Sequence, residues 1–320
     1  MGDPTGIGPE VLVRALARAG ADAFEAVVVG DRRVLERGAR LAGAALPDGV
    51  AVEDLGHCAP DDVPLGAPSV RGGRAAGEAL QRAFAMAREG RVDAVCYAPL
   101  HKRALHDAGY AFEDELHLFA HWTGARDVGE INALDRLWTA RVTSHIGLAK
   151  VPAALTVPAV LRAIRLVEGA QRAAGWARPR IAVAALNPHG GEHGLFGDEE
   201  IRVIAPAVEA ARAAGAEVHG PIPADTVFVR ASRGEFDAVV TMYHDQGQIA
   251  MKLLGFERGV TIGAGLPFPV TTPAHGTAHD IAARGVADPG AMVAALGLAA
   301  RMAAGAGAAA APDAGAPRSR

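Results

Sequence analysis

Short apolar runs that break off abruptly at polar groups recur along this chain, and they alternate with longer stretches patterned at a helical period. Residues 237–242 read as a buried strand of a parallel sheet, and His244, Asp245, Gln246 and Gly247 arrive directly after it. Two more runs end the same way: 141–144 leads into His145, and 181–188 leads into His189. Strands are also predicted over 25–30, 92–99 and 260–263, with Lys102 just past the second of these. Helical spacing predicts helices over 11–19, 74–88, 116–122, 157–174 and 198–215. Asp31 and Thr156 are placed as amino-terminal caps and Gly90 as a stop. A short helix is expected after Gly247, and two more near the carboxyl end. Residues 2–10, 44–72, 221–226 and 265–275 read as loops or stiff turns, and 304–320 as a disordered Ala/Gly/Pro tail. Strands alternating with helices define an α/β class with mostly parallel sheets.

Composition narrows the function more than the fold. With 32 basic and 36 acidic residues the charge is close to balanced, so nothing electrostatic recruits nucleic acid or an anionic membrane. No apolar run reaches the roughly 20 residues of a membrane span, and no leader-like stretch opens the sequence. Two cysteines, Cys58 and Cys96, point to a reducing compartment instead of a disulfide scaffold. The expectation is a cytoplasmic protein.

The chemistry gathers where strands end, which is where open α/β sheets bind ligands. His145, His189 and His244 each close a strand, and three imidazoles suit one divalent cation with positions left for substrate. Zinc or cobalt suits such a set better than magnesium or manganese, which need oxygens from the substrate. Any one of the twelve histidines alone is more often an ordinary side chain, and His57, His106, His121 and His219 are read so. Asp245 is placed to orient an imidazole, act as a base or simply form the turn. Lys102 is placed to donate a proton or hold a carboxylate, unless it is an ordinary exposed lysine at a helix start. His275, Gly276 and Thr277 form a tight turn that can face a phosphate, with Asp280 in a following helix placed for ribose hydroxyls. No G-x-G-x-x-G follows a strand, so a Rossmann dinucleotide fold is disfavoured.

Taken together, Gly2-Asp-Pro-Thr-Gly-Ile-Gly-Pro-Glu10, Ala98-Pro-Leu-His-Lys102, Asn187-Pro-His189, Pro223-Ala-Asp-Thr226, Tyr243-His-Asp-Gln-Gly247 and His275-Gly-Thr-Ala278 resemble the 4-hydroxythreonine-4-phosphate dehydrogenase family along nearly the whole chain. The stretch from His275 is also similar to the cofactor loop of isocitrate and isopropylmalate dehydrogenases. The resemblance implies a homodimer of two-domain α/β/α subunits, isocitrate/isopropylmalate dehydrogenase-like, with the active site between them. It implies a cofactor-side domain of 1–112 plus 250–303 and a metal and dimerisation domain of 113–249. It implies NAD as oxidant and His145, His189 and His244 as metal ligands from both subunits. The expected reaction oxidises the secondary alcohol of a β-hydroxy acid to a keto acid that loses CO₂.

Departures from the family pattern point at the substrate. Glu115 and Leu116 stand where the family has His-Thr, Thr261 where it has a phosphate-binding Asn, and Val270 where it has an Arg; the family's Lys is kept as Lys252. Losing a guanidinium and gaining a carboxylate weakens phosphate binding, so an unphosphorylated hydroxy acid such as a dihydrodiol carboxylate is the alternative substrate. The alternatives of another class are a phosphate acyltransferase, which shares a related fold and needs no histidine-bound metal, and a non-catalytic binding protein.

Overall fold

The glycine-proline loop at the amino end runs straight into α1 (Gly8–Ala19), and strands and helices alternate from there. The computed structural model describes residues 1–19, 24–255 and 258–310. β1 (Val27–Gly30) leads into α2 (Arg32–Ala42). Asp31 caps that helix as expected, accepting from the Arg33 amide at 3.0 Å. The carboxylate is fully buried and also accepts from the Arg33 guanidinium at 2.7 Å and the Cys58 amide at 2.8 Å. The Arg33 hydrogen bond, helped by the two amides, holds its pKa down at about 2 against an ordinary 3.8. A lowered carboxyl pKa adds stability above the ordinary value, here about 2 kcal/mol, which disappears as pH falls from about 4 through about 2. Asp31→Asn is therefore expected to lower Tm at pH 7 by roughly 3 °C and to flatten the decline of Tm between pH 5 and pH 2. A thermal melt series showing an unchanged slope would rule out Asp31 as the source.

Residues 44–72 hold more structure than their loop-like composition predicts. β2 (Ala51–Asp54) lies there and pairs with β1 in parallel; it is half exposed and carries Glu53 and Asp54, so no apolar run marks it. α3 (Val70–Arg88) begins at its Ser69 cap, ahead of the expected 74, because Gly72 and Gly73 interrupt the apolar period. β3 (Val95–Cys96) is much shorter than 92–99. α4 (Lys102–Asp107) and α5 (Glu115–Thr123) follow.

β4 (Gly129–Leu134), which no expected element covers, forms an antiparallel hairpin with β5 (Leu137–Arg141). The strand expected over 141–144 thus ends where it was to begin. After α6 (Val151–Ala154), α7 (Val157–Ala173) carries Thr156 as its cap. β6 (Arg180–Ala184) stops short of the predicted 188. The helix expected over 198–215 is a π-helical turn, Glu200–Ile204, running into α8 (Ala205–Ala213). The turn expected over 221–226 is instead the end of β7 (Glu217–Ile222) and the start of α9 (Ala224–Ser232).

β8 (Ala238–Thr241) is buried throughout, and α10 (His244–Gly255) starts at His244 itself, not after Gly247. β9 (Val260–Ala264) is as expected, whereas β10 (Val270–Pro273) lies within the predicted 265–275 loop. Residues 279–283 form turns where a helix was expected, so one closing helix, α11 (Gly290–Ala310), stands in place of two. That helix also takes up 304–310 of the predicted tail, while 311–320 lie outside the described residues.

The larger sheet has eight strands in the order β3-β10-β9-β4-β5-β8-β6-β7. β5, β8, β6 and β7 run parallel, as do β3 and β10, while β9 and β4 make an antiparallel block between them. The α/β class with mostly parallel pairing is as the alternation predicts. Fully buried Ile131, Trp138, Val183, Val240 and Ile262 lie in the main core along this sheet. Among the described residues no helix is long and apolar enough to cross a membrane, and both cysteines are free thiols.

Candidate active site

Two backbone bonds decide where His145 lies. The Val142 amide donates to Thr241 at 2.8 Å and the Thr143 amide to Met242 at 3.2 Å, so the segment leaving β5 is stitched to the end of β8. His145 is thereby carried beside His244 at the start of α10, their ring centroids 6.1 Å apart. Each ring has a carboxylate on its Nδ1 side. Asp245 lies 2.7 Å from His244 Nδ1, and Asp114, the cap of α5, lies 3.7 Å from His145 Nδ1. A carboxylate held on Nδ1 fixes the ring and leaves Nε2 as the donor atom, the usual arrangement behind a metal-binding imidazole. Burial pushes the Asp114 carboxyl up, but hydrogen bonds from His117 and the nearby His117 and His145 rings outweigh it and hold it below its ordinary value.

His189 is placed elsewhere. It opens a run of left-handed backbone, His189 to His193, that Glu200 anchors by accepting from the Leu186 and Asn187 amides at 2.8 Å. The side chain is exposed and does not line the cavity that His145 and His244 share. Among the described residues no three His, Cys, Asp or Glu side chains gather closely enough to hold an ion. One copy of the chain therefore brings together two of the three predicted ligands.

Two cavities of about 260 and 250 Å³ abut at this point. The first is lined by His145, His244, Lys252, Arg141 and Asn132, the second by Glu115, Leu116, Val270, His275 and Gly276, and both reach Lys102, Glu130 and Thr261. All five predicted substrate positions thus face one continuous region. Lys102 leads α4 and its ammonium lies 3.4 Å from the Glu115 carboxylate, which is mostly buried while the lysine is mostly exposed.

The turn predicted to hold a dinucleotide is only partly turned toward these cavities. His275 Nε2 is buried without a hydrogen-bond partner among the described residues, an atom that a ligand would satisfy. Thr277 is buried behind it, its hydroxyl 3.1 Å from His279 Nδ1. Asp280 is exposed and lines neither cavity. The amino-terminal loop braces this turn through Ile7 to Thr277 at 3.0 Å and Thr5 to His279 at 2.9 Å. Burial, the larger influence on His279, pulls its pKa below the ordinary value.

Several lining residues escape a reading of the sequence. Arg141, nearly buried, donates to Asn132 at 2.8 Å, lies 2.7 Å from Glu130, and donates to Ser144 at 2.9 Å. Asn132 in turn donates to the Thr261 hydroxyl at 3.1 Å and accepts from Gln248. Glu130 and Asn132 lie on the strand that went unpredicted. The one available signal was Arg141 itself, a charge at the end of an apolar strand, which is costly unless paired.

Comparison with known proteins identifies the family. Residues 22–299 match the family described as pyridoxal phosphate biosynthetic protein PdxA. The D-threonate 4-phosphate dehydrogenase of Cupriavidus necator is 44% identical, the match covering 92% of this chain and 93% of that protein. The crystal structure of 4-hydroxythreonine-4-phosphate dehydrogenase from Klebsiella pneumoniae superposes with a TM-score of 0.82 at 42% identity, covering 95% of this chain and 98% of the other. A terephthalate 1,2-cis-dihydrodiol dehydrogenase from Burkholderia xenovorans superposes at 0.69 and 31% identity, covering 94% and 96%. Fold and sequence converge on one assignment: this chain belongs to the PdxA family of pyridoxal phosphate biosynthetic proteins.

Proposed function

We propose that this oxidoreductase is an NAD- and divalent-metal-dependent dehydrogenase that converts a β-hydroxy acid to a keto acid with loss of CO₂, and that its substrate carries no phosphate. The observation that supports the substrate is the convergence of Glu115, Leu116, Thr261 and Val270 on one cavity, with Glu115 beside Lys102. A phosphate there would meet a carboxylate, and the nearest ammonium is already paired. Relatives named for phosphorylated threonate and for a dihydrodiol show that both kinds of substrate occur among proteins this similar.

The residues divide the work. His145 and His244 of one subunit, with His189 of a second copy, would hold the cation, zinc or cobalt by donor type, in a homodimer. When bound, such a cation supplies a Lewis acid for the alcohol oxygen, and NAD supplies the hydride acceptor. Asp245 holds the His244 ring in register. Lys102 stands where both cavities meet and takes or returns the proton at the substrate oxygen. Lys252 and Arg141 line the metal-side cavity, where a carboxylate would be held. His275, Gly276 and Thr277 would carry the dinucleotide, with Asp280 on its ribose. On this reading the cofactor belongs to 1–112 plus 250–303 and the cation to 113–249.

Steady-state NADH formation tests this. The purified protein, supplied with zinc, cobalt, manganese or magnesium in turn, is assayed on 4-phosphohydroxythreonine, D-threonate 4-phosphate, their dephosphorylated forms and a cis-dihydrodiol carboxylate. An unphosphorylated compound is expected to show a kcat/KM about 100-fold above its phosphate ester. Efficient turnover of either ester at low KM would sink the substrate assignment, and no NADH from any compound would sink the dehydrogenase reading.

A further inference from the structure

One face of the larger sheet is polar where its middle strands are otherwise apolar. Ile131 pairs with Ala140, so Glu130 and Arg141 follow as the next cross-strand pair of the β4–β5 hairpin. Asn132 lies two residues on from Glu130 and pairs with Thr261 of β9, which puts all four side chains on the same side. Gln248 of α10 closes over them, donating to Asn132. The other face of these strands sends Ile131, Ala140 and Ile262 into the core.

A cluster of this kind is either a scaffold that satisfies only itself or a wall shaped to meet a polar ligand. A count of donors and acceptors separates the two. Arg141 uses Nε on Ser144, Nη1 on Asn132 and Nη2 on Glu130. The Asn132 oxygen accepts from Arg141 and Gln248, and its amide donates to Glu130 and Thr261, so that residue is full. The others are not. Among the described residues both contacts to Glu130 fall on Oε1, and Lys102 meets Glu115 on Oε2. Glu130 Oε2, Glu115 Oε1 and the Gln248 carbonyl are left as acceptors, and the Thr261 hydroxyl keeps its hydrogen to donate. Glu130 and Thr261 border both cavities, Glu115 the one and Gln248 the other.

The open valences define the ligand. A phosphate or a further carboxylate brings acceptors alone, and both cations there, Arg141 and Lys102, already face a carboxylate. An apolar ring brings nothing, and would shut carboxylate oxygens away from water without partners. An alcohol gives a hydrogen to a carboxylate and accepts one from Thr261 or Lys102.

We propose that the substrate is an open-chain polyhydroxy acid of the aldonic type, with free hydroxyls beyond the carbon that is oxidised. Glu130 and Glu115 accept from those hydroxyls, Thr261 donates to one, and Gln248 accepts from the metal-side cavity. The proposal rests on the reading that the substrate carries no phosphate, and it separates a polyol chain from the ring of a dihydrodiol carboxylate.

The test uses the full chain with NAD and each of the four metals. NADH formation is measured on D-threonate, its 4-deoxy analogue, a set of five-carbon aldonates, a cis-dihydrodiol carboxylate and the phosphate esters. The rise in Tm with each acid is read alongside. A hydroxylated acid is expected to exceed its deoxy counterpart by at least about 100-fold in kcat/KM, because a site that hydrogen-bonds a hydroxyl rejects the analogue lacking it. Gln248→Leu and Thr261→Val are each expected to shrink that ratio by about 10-fold, with turnover of the deoxy acid changed by less than about 2-fold. Glu130→Gln is the stronger change but removes the charge facing Arg141, so the two milder variants carry the test if it fails to fold. Preference for the dihydrodiol carboxylate would overturn the polyol chain and leave an unphosphorylated substrate standing. Preference for an ester would overturn both. If no compound yields NADH, the Tm series decides. A rise with the hydroxylated acids alone would uphold the proposal without the dehydrogenase reading; equal or absent shifts would make the cluster a scaffold and overturn it.

Discussion

Replacing His244 with alanine is expected to lower kcat/KM for NADH formation by at least about 10³-fold, the scale of losing one ligand of a Lewis-acidic cation. His244 is partly exposed at the first turn of α10, beside His145 and Asp245, so the fold should survive and Tm should move little. The companion variant, Asp245→Ala, should cost about 10- to 100-fold, because Asp245 acts by holding Nδ1 of that ring. Bound metal measured by atomic emission should fall in the same order as activity. A His244→Ala enzyme that keeps a tenth of its activity, or its full metal content, would remove His244 from the site.

Glu115→Gln should shift preference toward phosphorylated substrates by about 10²-fold in the ratio of kcat/KM values. The substitution keeps size and hydrogen-bonding reach while removing the charge beside Lys102. Two like charges about 5 Å apart at an effective dielectric near 20 repel by roughly 3 kcal/mol, and the freed ammonium adds attraction. The change should appear mainly in KM for the ester, since it acts on binding of the phosphate and not on the alcohol being oxidised. An unchanged ratio would mean that the phosphate, or its replacement, lies outside the cavity lined by Glu115 and Val270. Asn132 bears on the same question: it donates to Thr261 from the neighbouring strand, so a side-chain amide lines the cavity beside that hydroxyl.

Much of the site was legible because its chemistry sits at element ends. His244 and Asp245 follow a strand buried along its whole length, and a run of that kind announces its own termination. Asp31 and Thr156 were legible as caps because their side chains satisfy amides a few residues away. β2, β4, β7 and β10 were not legible. β2, β4 and β7 are half exposed or carry polar residues such as Glu53, Asn132 and His219, and β10 is Val-Thr-Thr-Pro within a glycine- and proline-rich stretch. Strands of that composition are recognised by their partners, and those partners lie far away in sequence.

By its residue pattern alone the chain determined its α/β class, the helices with strong caps and period, and which side chains had chemistry to offer. Those properties depend on neighbours within one or two turns. Tertiary structure decided which of the offered groups meet. It set His145 beside His244 and left His189 on a separate loop, it turned Glu115 onto Lys102, and it brought Arg141 and Asn132 into a cavity that no local signal marks. The physical reason is that strand order and register govern distances between residues a hundred positions apart, and these emerge only when the whole core closes.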